Sequence, residues 1–132
     1  MRFAGRSKYF VLALAIIGIG LLTRLSPPGH HALFKYLGSA LWGGMVYCLL
    51  ASLAPKTSPS RIAIVAAVIA AGVEFSQLWH TDALDAFRAT RIGVLLIGRF
   101  FSWWDIVAYS AGIIAIAALD ACALRQRIGR AN

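Results

Sequence analysis

The sequence predicts an all-α protein, an integral membrane four-helix bundle with a short interfacial or re-entrant segment between its third and fourth spans. Three observations predict it. Hydrophobic residues make up 60% of the 132 positions and charged residues 14%, against roughly 45 to 50% and about 25% in soluble domains; mean hydropathy is +0.74. Four segments approach the roughly 20 apolar residues that a spanning helix needs. Each of these segments is bounded by residues whose chemistry starts or stops a helix. With no linker, internal repeat or low-complexity tract, residues 1–132 read as one membrane domain.

The first span covers about 8–24 and ends before Pro27 and Pro28, which disfavour helix in the residues preceding them. Lys8 and Arg24 can snorkel to lengthen it. Its charged start and apolar run have the form of a secretory signal. The next residues, "TRLSPPGHH", lack a small-x-small pattern, and further spans come after, so an uncleaved helix is expected.

The second span, 31–54, stops at Pro55 and carries Gly38, Ser39, Gly43 and Gly44, small residues that let backbones approach in lipid. The third, 59–80, opens with Ser58 as N-cap and Pro59 at the first helical position. Along it Ala67, Ala70, Ala71 and Glu74 share a face, which is expected to look inward. The fourth covers 102–124. Between the last two lies "TDALDAFRATRIGVLLIGRFF", whose apolar run "GVLLIG" is too short to span, so short helices packed at the bundle's edge are expected.

A net charge of +8 in a soluble chain would point to nucleic acid. Here the basic residues are scattered over chain ends and connections, without a basic stripe or a stacking platform, so no nucleic-acid partner is expected. They speak instead to topology, because Lys and Arg accumulate at cytoplasmic span ends. Four spans put eight basic residues (Arg2, Arg6, Lys8, Lys56, Arg61, Arg125, Arg127 and Arg130) on one side and five (Arg24, Lys35, Arg88, Arg91 and Arg99) on the other. Both termini are therefore expected to be cytoplasmic. Cys48 and Cys122 lie in apolar surroundings without ligand spacing, so neither a disulfide nor a metal is expected.

The chemistry concentrates in one polar constellation. Glu74 and Gln77 lie one turn apart on the third span, with Glu74 about 20 Å from the cytoplasmic end at 1.5 Å per residue. On the fourth, Asp105, Tyr109 and Gly112 form a stripe at helical spacing. The two stripes are at matching depth, and Arg88, Arg91 or Arg99 can supply a counter-charge. The candidate ligand-binding set is Glu74, Gln77, Arg88, Asp105 and Tyr109.

Plainer readings stand beside this one. Ser102 to Asp105 fits a capping box, Glu74 with Gln77 fits interhelical hydrogen bonding, and Arg91 and Arg99 fit interface anchors. Tyr47 and Trp42 are most simply packing residues. His30, His31 and His80 fall near Asp82 and Asp85, but no HxxxH-type spacing supports a metal. Nucleophile elbow, phosphate loop and dinucleotide motifs are all lacking. Catalytic residues are thus unknown, and no cofactor is expected.

"VEFSQL", "LDAFRAT", "GVLLIG" and "FSWWDIVAY..G" resemble a family of small bacterial inner-membrane proteins known only as a domain of unknown function. Its pattern is similar to that of VanZ-like proteins, whose signature is a Glu and Gln three apart, then Arg, Asp, and an Asn with Gly. Carried across, these fall on Glu74, Gln77, Arg88, Asp105 and Gly112, while Tyr109 stands where VanZ-like proteins have Asn. The resemblance implies a role in the cell envelope. The expected function is non-catalytic, binding or helping to move an outer-leaflet or periplasmic polar ligand, such as a lipid, a lipid-linked or a glycopeptide-like head group. One alternative is a membrane-embedded enzyme using Glu74 and Asp105 as acid and base on a lipid-linked substrate. Another is a small proton-coupled transporter, whose aqueous path so short a chain would complete as a homo-oligomer.

Overall fold

The computed structural model describes residues 3–24 and 31–129, with side chains at 5–22 and 32–123. Expectations resting on Arg2, Pro27, Pro28, His30 and Arg130, and on the side chains of Arg24, His31, Arg125 and Arg127, lie outside those residues. The described chain forms six helices: α1 (Phe3–Arg24), α2 (His31–Leu53), α3 (Pro59–Ser76), α4 (Asp82–Ala89), α5 (Arg91–Ile97) and α6 (Trp103–Gly129). Helices α1, α2, α3 and α6 are long and apolar enough to cross a membrane, so the chain is an all-α, multi-pass membrane protein.

Helix α2 is the centre of the bundle. It packs along α1, α3 and α6, and α3 closes against α6, while α4 and α5, which connect those two in the chain, pack on each other. The interior is built from small and medium side chains, among them Ala13 of α1, Cys48 and Ala51 of α2, Ala66 and Ala70 of α3 and Ile113 of α6. Glycine takes this logic furthest where α2 meets α6. A Cβ at Gly112 would stand 2.7 Å from the carbonyl carbon of Ala40 and closer still to its oxygen, and one at Gly43 would stand 2.9 Å from Tyr109 Cα. The two backbones touch there directly, which only a residue without a side chain permits.

Two features of α3 differ from the sequence reading. The buried face of α3 is Ile62, Ala66, Ala70 and Glu74, so the inward stripe runs through Ala66, with Ala67 and Ala71 half-buried at its edge. The same helix ends at Ser76 rather than near His80, with Gln77 as its C-cap. The cause is Arg88, whose guanidinium donates to the carbonyls of Ser76 at 2.5 Å and Trp79 at 2.8 Å, drawing the chain off the helix axis.

The connecting segment resolves into short helices, each with its own start signal. Thr81 caps α4 by accepting from Leu84 N–H, and Thr90 caps α5 by accepting from Gly93 N–H. Asp82 and Asp85 sit in the first turn of α4 and Arg88 in its last, the order that complements the helix dipole.

Candidate functional site

Glu74 occupies the last turn of α3, at the end of the alanine stripe that lets α3 lie close on α6. Its side chain is fully buried, and three donors converge on its carboxyl group. Ser102 N–H reaches Oε1 at 2.6 Å, Tyr109 O–H reaches Oε2 at 3.2 Å and Gln77 Nε2 reaches Oε2 at 3.3 Å. The Ser102 contact is a capping interaction made from another helix. In a capping box the third residue of a helix returns its carboxylate to the N–H of the N-cap. Here Glu74 does this, and Asp105 is released for other work.

Asp105 turns toward α2 instead. Its carboxylate accepts from Ser39 O–H at 3.0 Å and pairs with Lys35 Nζ at 3.3 Å. Asp105 is itself buried, whereas Lys35 is 52% exposed. Tyr109, one turn along α6, has its ring centroid 5.1 Å from that of Trp42 on α2. The cluster thus draws one polar stripe from each of α2, α3 and α6.

Gln77 links the cluster to α5. Its Nε2 donates to the carbonyl of Ile97 at 2.7 Å, satisfying the last residue of α5, and its Oε1 has no partner among the described residues. The adjoining Gly98 has φ +67, a conformation that favours glycine, and a Cβ there would meet Gln77 Nε2 at 2.6 Å. A side chain at 98 would therefore strain the turn and displace the glutamine.

Glu74, Gln77, Asp105 and Tyr109 are brought together, and Arg88 is not. Its side chain is buried, but it is engaged by Ser76, Trp79 and Asp85, with Nε unpartnered among the described residues. It fixes the end of α3 and hence the position of Glu74, acting through the backbone. The counter-charge beside Asp105 is Lys35, from a helix the sequence reading treated as packing. The spacing of Lys35, Ser39, Gly43 and Tyr47, four apart along α2, was the signal that could have found it.

Beside the cluster is a cavity of about 910 Å³, within the range of small-molecule sites, about 300 to 1,000 Å³. Lys35, Ser39, Gln77, Arg99, Asp105 and Tyr109 gather polar groups on its wall. The remainder is apolar, with Ile16, Ile17 and Leu21 of α1, Leu41 and Met45 of α2 and Leu95 of α5 among the lining. Glu74 stands behind this wall and is reached through Gln77 and Tyr109.

A second polar cluster lies toward the other end of the bundle. Asp120 of α6 accepts hydrogen bonds from Tyr9 of α1 and, at 2.6 Å, from Tyr47 of α2. Tyr47 is fully buried, so it is a buried donor as well as a packing residue. Elsewhere His80 Nδ1 meets Asp85 at 3.1 Å, and among the described residues no group of three or more His, Cys, Asp or Glu side chains is placed to hold a metal.

No solved structure matches the chain. Residues 29–113 match the family model described as protein of unknown function (DUF2809). That stretch contains α2, α3, α4, α5 and the first turns of α6, and so every residue of the Glu74 cluster. The match covers well over half of the sequence, and the chain belongs to the DUF2809 family.

Proposed function

We propose that this protein binds, or helps to move, an amphiphile of the bacterial inner membrane, taking its polar head among Lys35, Gln77, Asp105 and Tyr109. The observation that carries the reading is the cavity, about 910 Å³ with polar groups on one part of its wall and aliphatic side chains over the rest. With eight basic residues at one set of span ends and five at the other, the termini face the cytoplasm and the head group belongs to the outer leaflet. The VanZ-like pattern of Glu74, Gln77, Asp105 and Gly112 adds a role in the cell envelope to the same proposal.

Binding is favoured over proton-coupled transport by the contact between α2 and α6. Gly43, Gly44 and Gly112 sit between the Glu74 cluster and Asp120, and the space between the helices there is filled by backbone and by the Ile116 side chain. Binding is favoured over catalysis because both carboxylates are already engaged, Glu74 by its donors and Asp105 by Lys35 and Ser39.

Gly38 supplies the test. It lines the cavity, and a Cβ added to it meets nothing within 4 Å, so the side chain of Gly38→Phe starts from open space beside the cavity and takes up part of its volume. Mass spectrometry of lipids retained by the purified protein should show a species bound by the wild type and lost from the folded variant. Identical lipid profiles for the two would overturn the reading.

A further inference from the structure

The cavity wall carries two cations and one anion. Lys35 is paired with Asp105, while Arg99 lines the same cavity and makes no hydrogen bond or ion pair among the described residues. Glu74 adds no free acceptor to that wall, because Ser102, Tyr109 and Gln77 occupy its oxygens from behind. Lys35 is answered by Asp105 and Glu74 by its own three donors, so Arg99 is the cation on this wall that no group among the described residues answers. A guanidinium with its donors open on the wall of a largely aliphatic space is a site for a bound anion.

The shape of the cavity narrows the choice of anion. Its lining on α2 extends from Phe34 to Met45, about 16 Å at 1.5 Å per residue, close to half of the roughly 30 Å hydrocarbon thickness. A soluble anion would leave that length empty. An acyl chain would fill it, lying against Ile16, Ile17 and Leu21 of α1.

We propose that the occupant is a phospholipid bearing a single net negative charge, a phosphodiester without a cationic head group, held by Arg99 and Lys35 with its chain along α1 and α2. The proposal rests on the reading of the cavity as an amphiphile site and specifies its charge class. A guanidinium offers paired N–H donors to two phosphate oxygens and an ammonium a point charge, so Arg99 fixes orientation and Lys35 adds attraction. When Lys35 turns to the phosphate, Asp105 keeps the Ser39 O–H as its donor. A monoanion answers the one unpaired guanidinium. A zwitterionic head brings a further cation beside Arg99 and Lys35, and a dianionic phosphomonoester carries one charge more than Arg99 answers.

The test uses the full chain in detergent with defined lipids titrated in native mass spectrometry: phosphatidylglycerol, phosphatidylcholine, phosphatidate and diacylglycerol, with inorganic phosphate alongside. Phosphatidylglycerol is expected to bind most tightly. Arg99→Gln and Lys35→Gln should each weaken it about fivefold, the worth of one cation near a membrane surface, while leaving phosphatidylcholine unchanged. Gly38→Phe should block every lipid. Equal binding of phosphatidylglycerol and phosphatidylcholine, insensitive to both substitutions but blocked by Gly38→Phe, would overturn the charge assignment and leave the amphiphile site standing. Lipid binding untouched by Gly38→Phe would overturn both. Inorganic phosphate bound as tightly as phosphatidylglycerol would replace the lipid with a soluble phosphate compound.

Discussion

Replacing Gly112 by alanine adds one methyl group where α2 and α6 have no room for it. The new Cβ would lie 2.7 Å from the Ala40 carbonyl carbon, against about 3.5 to 4.0 Å for carbons in contact. The obstacle is backbone, so no rotamer change relieves it and the helices must part by about 1 Å. Overpacking costs typically 1–3 kcal/mol, and a backbone collision belongs at the upper end, about 3. Alanine returns about 1 kcal/mol through its higher helix propensity. The net loss of about 2 kcal/mol corresponds to a melting temperature lower by roughly 8 °C in a chain of this size. Cys48 is fully buried and Cys122 exposed, so in a Cys122→Ser background a fluorogenic maleimide reports unfolding through Cys48. Gly72 is the internal control, since a Cβ there meets nothing within 4 Å and its alanine variant should melt no lower than wild type. If Gly112→Ala melts as high as Gly72→Ala, the close approach of α2 and α6 is wrong, and with it the placement of Ser39 and Lys35 against Asp105.

Glu74→Gln should destabilise the protein by about 1–3 kcal/mol, since one amide oxygen replaces two acceptors and a buried donor faces the Gln77 amide; a melting temperature equal to wild type would refute the convergence of donors on this carboxyl. Arg88→Met should cost about 2 kcal/mol through lost charge-assisted bonds to the carbonyls of Ser76 and Trp79. Hydrogen exchange should quicken at the end of α3 and in α4, leaving the middle of α3 protected. Unchanged exchange in α4 would remove Arg88 from its positioning role.

The features legible in the sequence were set by period and by length. Apolar runs of membrane-spanning length leave little choice of element, and i,i+4 spacing put Asp105 and Tyr109 on one stripe of α6 opposite Glu74 and Gln77 of α3. The phase of the α3 stripe was harder to read, because alanine occupies positions 63, 66, 67, 70 and 71 and so marks no single face. Arg88 was out of reach for another reason. Only the turn after Ser76 brings it back under the end of α3, and no periodicity reports a turn between helices. Lys35, near a span end, fits the pattern of an interface anchor, and only the packing of α2 on α6 discloses its carboxylate. Asp120 is similar, since Tyr9 and Tyr47 come from different helices and 38 positions apart.

The cap that Glu74 provides for Ser102 also bears on how the protein is made. A spanning helix released into the bilayer ordinarily satisfies its own first turn before it meets its neighbours. Here the N–H at the head of α6 waits for a carboxylate on α3, and the Glu74 carboxyl waits for that N–H and for the Tyr109 hydroxyl. Neither span is finished alone. The hairpin of α3 and α6, with α4 and α5 in its connection, is therefore the smallest unit in which the Glu74 carboxyl and the Ser102 N–H are both paired, while Asp105 and Asp120 still need α1 and α2; a chain interrupted before residue 109 would present a buried-type carboxylate to lipid and to membrane quality control.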